Sequence, residues 1–109
     1  MIAYLLSWLL VTAIFADVSE HVAAANEPAN MDGYTLVQFA VEDGERLMDA
    51  HPPRSCFAEW WALERAALRT YAESLRFYVM GDGATADALL QTASVTRWLA
   101  QDARGRVEC

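Results

Sequence analysis

The chain contains no lysine, so arginine alone supplies its positively charged side chains. Eight arginines stand against fifteen aspartates and glutamates, and the formal net charge is -7. Such a chain repels a phosphate backbone, and no arginine cluster interrupts the acidity, so nucleic acid is excluded as an expected partner. A basic protein partner fits this charge, although mild acidity is also ordinary solubilising charge, and both interpretations stay open.

Histidine and cysteine are also scarce, with two residues of each. His21 follows Asp17 by four residues and could join it on one helical turn, but two ligands are too few for a metal site. Cys56 has no C-x-x-C partner, and motifs for haem attachment, phosphate binding and zinc proteolysis are missing. We therefore predict that the protein is not an enzyme and has no catalytic residues, no metal and no cofactor.

Few residues in this chain of 109 residues are of a kind that interrupts a helix. Pro52 and Pro53 stop what precedes them, because proline lacks a backbone donor and disfavours helix in the residue before it. Gly81-Asp82-Gly83 is turn-like, and apolar residues recur elsewhere at three- and four-residue steps. This pattern predicts helices over residues 32–50, 56–80 and from the turn to 104. The fold class is therefore all-α, a small antiparallel bundle of about three helices after an N-terminal hydrophobic segment.

Residues 34–48 fit a second interpretation. Positions 35, 37, 39 and 41 alternate in the manner of a strand, and Asp43-Gly44 could turn a hairpin. Helix is preferred because no second apolar strand follows Gly44 to pair with the first. Gly44 would then be a close-packing site or a break.

Local signals predict the helix ends and the inward face of the last helix. Ser55 suits the N-cap of the longest helix, and Asp82 or Thr85 suits the N-cap of the last one. Helical periodicity predicts that the last helix turns these side chains inward: Leu89, Thr92, Val95, Trp98 and Leu99.

The two cysteines lie symmetrically about the turn. Cys56 is 26 residues before Asp82, and Cys109 is 27 residues after it. Two helices running antiparallel from this turn would bring both cysteines to one end, so we predict a Cys56–Cys109 disulfide, with two unpaired thiols as the alternative. Closing a loop of about 50 residues is worth roughly 4 kcal/mol to a small domain and implies an oxidising compartment.

Residues 2–16 carry no charged side chain. Fifteen helical residues span about 22 Å, less than the roughly 30 Å of a hydrocarbon core, which suits a signal peptide followed by the alanines at positions 23–25. The missing basic residue near Met1 and the polar stretch after position 16 are atypical of a signal. We predict that residues 1–25 are a signal peptide or an N-terminal hydrophobic anchor, with a buried core helix as a further alternative, and that residues 26–109 form the helical domain.

Two of the four tryptophans are adjacent. About 100° of helical rotation separates Trp60 from Trp61, so a three-helix core would have difficulty burying both. We predict that the more exposed indole binds a partner together with Arg65. The alternative is a wide buried face that the first helix covers.

These observations together predict an exported, non-enzymatic helical protein, periplasmic or secreted, that binds another protein as an inhibitor, immunity or stabilising factor. The alternative is a membrane-anchored accessory subunit facing the outside, with membrane contact through residues 1–16. A carrier of a small apolar ligand, or an enzyme, is a more distant alternative. The layout is similar to that of small cell-envelope proteins, such as periplasmic immunity proteins and antiholin-type lysis regulators, but no motif is shared and no site is carried over.

Overall fold

A computed structural model describes the backbone of residues 2–26 and 31–108 and the side chains of residues 5–23 and 32–108. These residues form four α-helices: α1 (Ile2–Asn26), α2 (Met31–Ala50), α3 (Ala58–Val79) and α4 (Gly83–Gly105). Strands are absent from the described part of the chain. The predicted all-α class, with three helices after an apolar first segment, is confirmed. Residues 34–48 are helical, and the hairpin alternative is wrong.

Neighbouring helices run antiparallel. Asp49, near the end of α2, pairs with Arg65 near the start of α3. Tyr34, near the start of α2, instead meets Glu73 far along α3. Helix α1 packs mainly on α2, and α4 packs mainly on α3, while α3 contacts all three other helices. The fold is therefore two helical hairpins joined through α3.

One face of α1 belongs to the core. Its buried apolar residues recur at three- and four-residue steps and pack with apolar residues of α2 and α3: Val11, Ile14, Phe15, Val18 and Val22. Helix α1 is also long and apolar enough, over Leu5–Ala23, to cross a membrane, with 33% of that window buried in the bundle. An apolar N-terminal helix of this kind is compatible with a signal peptide or with an anchor.

Gly44 marks a close approach between α1 and α2. A Cβ atom built on Gly44 would lie 2.5 Å from Cγ2 of Ile14. Isoleucine in a helix keeps one strongly preferred χ1 rotamer, so this methyl group cannot easily turn away. Gly44 is therefore a close-packing site, and α2 continues through it without a break.

Helix α4 packs on α3 through small side chains. Its buried residues are all alanines: Ala86, Ala93, Ala100 and Ala103. Val95, Trp98 and Leu99 are exposed instead, as is Thr92, and Leu89 is only half-buried. The predicted inward face of this helix is therefore wrong. Residues at three- and four-residue steps lie on both faces of α4, so the periodicity alone does not identify the buried face. The alanine face allows the closer approach of the α3 and α4 backbones.

The predicted N-caps are right for one helix and wrong for another. The Asp82 carboxylate accepts hydrogen bonds from the Thr85 backbone N–H at 3.1 Å and from the Thr85 hydroxyl at 2.7 Å. Before it, Gly81 takes a φ of 87°, a left-handed conformation that suits glycine. Ser55 does not cap α3, because Ser55–Phe57 forms a 3-10 turn and the capping position falls on Phe57, which makes no side-chain cap.

Replacing Gly44 with alanine tests how α1 is seated. The added methyl group meets Ile14, so we expect the free energy of unfolding in urea to fall by roughly 1–3 kcal/mol. Gly83→Ala is the matched control, since a Cβ atom there meets nothing within 4 Å. It should be neutral or slightly stabilising.

The double variant separates packing from backbone effects. In an Ile14→Ala background the clash is gone, so Gly44→Ala should no longer destabilise the protein. A Gly44→Ala single variant as stable as the wild type would contradict the packing of α1 on α2.

Candidate functional site

Both predicted tryptophan anchors lie inside the protein. Trp60 is 1% exposed and Trp61 is 9% exposed. The Trp61 indole N–H donates a hydrogen bond to the Met48 carbonyl oxygen at 3.3 Å. The expectation that one indole would be exposed is therefore wrong. The physical reason is that the core contains four helices, because α1 and α2 join the same apolar cluster as the tryptophans.

Arg65 faces α2. Its guanidinium donates to both carboxylate oxygens of Asp49, at 2.5 and 3.1 Å, and to Glu45 at 3.3 Å. Glu45 also accepts hydrogen bonds from Arg69, and this interaction is the main reason that the pKa of Glu45 lies below its usual value. Arg65 therefore ties α2 to α3, while its predicted contact with a partner stays a prediction.

A second charged cluster lies between α3 and α4. Glu64 is only 3% exposed, and its Oε2 lies 3.8 Å from Nε of Arg97. Neither atom makes a hydrogen bond. Burial raises the pKa of Glu64, and the nearby charges of Arg97 and Arg104 oppose this effect without cancelling it. Sequence reasoning did not identify this cluster, although Arg97 and Arg104, seven residues apart, lie on one face of α4.

Arg97 also reaches α1. Its guanidinium carbon lies 4.0 Å from the centre of the Phe15 ring, a cation-π geometry. One side chain of α4 therefore contacts an ion-pair partner on α3 and an aromatic ring on α1.

The outward face of α4 presents large apolar side chains without charge. Residues 88–101 include one charged residue, Arg97, and it is the one that reaches Glu64 and Phe15. We call the exposed residues Val95, Trp98 and Leu99 the α4 stripe. Trp98 is 63% exposed, the most of the four tryptophans. Sequence reasoning missed this surface, although alanines at positions 86, 93 and 100 repeat every seven residues and could have indicated the inward face.

The described residues include no group of three or more His, Cys, Asp or Glu side chains placed to hold a metal ion. His21 and Asp17, judged from the sequence to be too few for a metal site, make a local contact on α1, in which the His21 ring nitrogen Nδ1 lies 2.8 Å from the Asp17 carbonyl oxygen. A groove of about 430 Å³ with a mixed polar and apolar lining lies over Tyr71 and Leu75, between Val22 of α1 and Leu90 of α4.

Comparison with known proteins adds no relative. No family model matches the chain, and searches of curated proteins and of solved structures found no match.

The two buried glutamates should respond to pH in opposite directions. Folding raises the pKa of Glu64, so the ionised carboxylate is disfavoured in the native state. Its contribution to stability is therefore full below the usual glutamate pKa and falls as the pH rises through the raised value. We expect Glu64→Gln to be more stable than the wild type near pH 7, with the difference narrowing toward about pH 4.

Glu45→Gln is the matched control on the other side of α3. Folding lowers the pKa of Glu45, so its contribution is present above the usual glutamate pKa and is lost as the pH falls through the lowered value. This variant should be less stable than the wild type near pH 7. Urea denaturation over this pH range measures both differences, and the same sign for both variants would contradict these assignments.

Proposed function

We propose that this chain is a non-enzymatic helical protein that binds another protein through the α4 stripe. The observation that supports this most is the orientation of α4, which buries alanines and exposes Val95, Trp98 and Leu99. Burial of apolar surface is favourable by about 25 cal/mol per Å², so the isolated chain leaves much of this gain unused. A partner that covers the α4 stripe would recover it.

The chemistry of the α4 stripe restricts the partner. Residues 88–101 extend for about 21 Å, and their one charged side chain is engaged by α1 and α3. The Asp102–Arg106 ion pair, at 3.0 Å, marks the charged end of this surface. Because an unpaired charge is costly to desolvate, the partner should offer an apolar helix or groove. A basic rim on the partner would complement the net charge of -7.

The proposal includes export and the Cys56–Cys109 disulfide. Cys109 lies outside the described residues, so the bond stays a prediction. The antiparallel packing of α3 and α4 supports it, since Cys56 lies just before α3 and α4 ends at Gly105 at the same end of the bundle.

Mass analysis of protein from its native host, without reduction, tests the disulfide. We expect one intramolecular bond between Cys56 and Cys109, and two alkylatable thiols would contradict it. Cys56→Ser and Cys109→Ser should each lower the free energy of unfolding by roughly 2–4 kcal/mol, because both lose the same constraint on the unfolded chain. Under reducing conditions the wild type should lose its advantage over both variants.

Crosslinking in the native host tests the α4 stripe. A photoreactive residue at position 98 should crosslink a protein, whereas one at position 39 should not. Phe39 suits the control because it is similarly exposed but lies on α2. With the captured protein purified, Trp98→Ala should weaken binding by about 10- to 30-fold, or about 1.4–2 kcal/mol, while Phe39→Ala binds like the wild type. Equal binding by wild type and Trp98→Ala would contradict the proposal.

A membrane-anchored accessory subunit is the second candidate, and contacts of α1 favour it. Ile14 of α1 packs against Gly44 of α2, and the Arg97 guanidinium of α4 lies over the Phe15 ring of α1. Removal of α1 as a signal peptide would uncover both places. N-terminal sequencing of the native protein separates the candidates, since a start at Asn26 supports release and a start at Met1 supports retention of α1.

A further inference from the structure

We infer that α1 stays packed in the bundle and docks on a phospholipid bilayer, inserting its outward N-terminal face into the interface without crossing the membrane. We call this face, formed by Leu5, Leu6, Trp8 and Leu9, the α1 face. It is separate from the α4 stripe and takes a different occupant.

The outward side of α1 is apolar only at its N-terminal end, where the α1 face lies. The four residues of this face are exposed; Leu5 neighbours Trp8 and Leu9 on the helix surface, and Leu6 neighbours Leu9, at steps of three and four positions. Residues 2–16 contain no charged side chain, and Asp17 and Glu20 follow as exposed acids toward the other end. The outward side of α1 therefore changes from apolar to acidic along its length.

The packing of α1 on α2 opposes a crossing orientation. By length and composition, Leu5–Ala23 could span a membrane. Ile14 nevertheless fits against Gly44, and α2 runs alongside α1 with exposed charges: Glu42, Asp43, Arg46 and Asp49. A bilayer surrounding α1 would enclose these side chains, and charges inside hydrocarbon are costly. Shallow insertion of the N-terminal end alone, with α1 tilted so that its acidic end rises from the interface, keeps these charges out of the hydrocarbon.

The surroundings of the α1 face suit lipid headgroups. Trp8 has an apolar ring with a polar N–H, a combination that favours the membrane interface. His51 and Pro52 line a surface pocket with Leu6 and Leu10, and the exposed Arg54 follows in the same loop. His51 therefore lies beside the α1 face. The tilt of α1 keeps its acidic part, with Asp17 and Glu20, out of the bilayer.

Flotation with preformed phosphatidylcholine vesicles tests the inference on the full chain. The protein should float with the vesicles at low and at high salt, because insertion is apolar and the chain is acidic. The Leu6→Gln, Leu9→Gln double variant should partition at least about tenfold less. The matched control is Leu36→Gln, Phe39→Gln on α2, two residues that are also exposed. Its partition should equal that of the wild type, and circular dichroism should show both variants folded.

Protease sites added at the two termini report the orientation. Both sites should be cut from outside the vesicle if α1 lies in the interface. Protection of the N-terminal site alone would mean that α1 crosses the bilayer, and it would overturn the inference.

Other results would also overturn it. The first is that the protein does not bind vesicles, or that it associates with itself through Leu6 and Leu9 in place of lipid. The second is that vesicle binding requires anionic lipid and is lost at high salt. The third is a native protein that starts at Asn26. Loss of flotation in Trp98→Ala would assign the lipid contact to the α4 stripe instead. Crosslinking from position 98 tests protein binding by the α4 stripe, whereas flotation tests lipid binding by the α1 face. Failure of either proposal is therefore distinguishable from failure of the other.

Discussion

The close packing of α4 on α3 through Ala86, Ala93 and Ala100 is the contact on which the other features depend. A helix face made of methyl groups lets two backbones approach closely and fixes how α4 is rotated about its axis. The same rotation directs Arg97 toward Glu64 and leaves Trp98 outside. The ion pair between Glu64 and Arg97 and the exposure of the α4 stripe therefore both follow from the way α4 packs on α3.

The ion pair between Glu64 and Arg97 contributes more to the arrangement of the helices than to stability. Burial dominates the raised pKa of Glu64, and the two facing atoms make no hydrogen bond, so the attraction does not fully offset desolvation. Arg97 nevertheless contacts Phe15 and so joins α1 to the α3–α4 hairpin. The close approach of Gly44 to Ile14 joins α1 to α2 in the same way. Both contacts join α1 to the rest of the bundle.

Sequence patterns predict the helices of this chain better than they predict the faces of those helices. Apolar periodicity and the Gly81-Asp82-Gly83 turn were enough for the element order, and the Asp82 cap and the close-packing alternative for Gly44 followed from local chemistry. The face of α4 was wrong because residue size was taken as the guide to burial, although alanines fill the interface. The expectation that one of Trp60 and Trp61 would be exposed was wrong because it assumed a three-helix core, whereas α1 belongs to the core; the alternative of a wide buried face agrees with the structure. The Cys56–Cys109 bond stays a prediction, and the partner has no sequence motif to indicate it.

The distribution of large apolar residues connects stability with function. Val95, Trp98 and Leu99 on α4 and Leu6 and Leu9 on α1 are outside, while alanines fill much of the α3–α4 interface. Fewer buried methylene groups mean a smaller hydrophobic contribution to folding, which is already limited in a chain of 109 residues. A covalent bond between the start of α3 and the end of the chain would restrict the unfolded state and offset part of this deficit. Exposed apolar faces and a disulfide would thus be mutually consistent in a small protein of this kind.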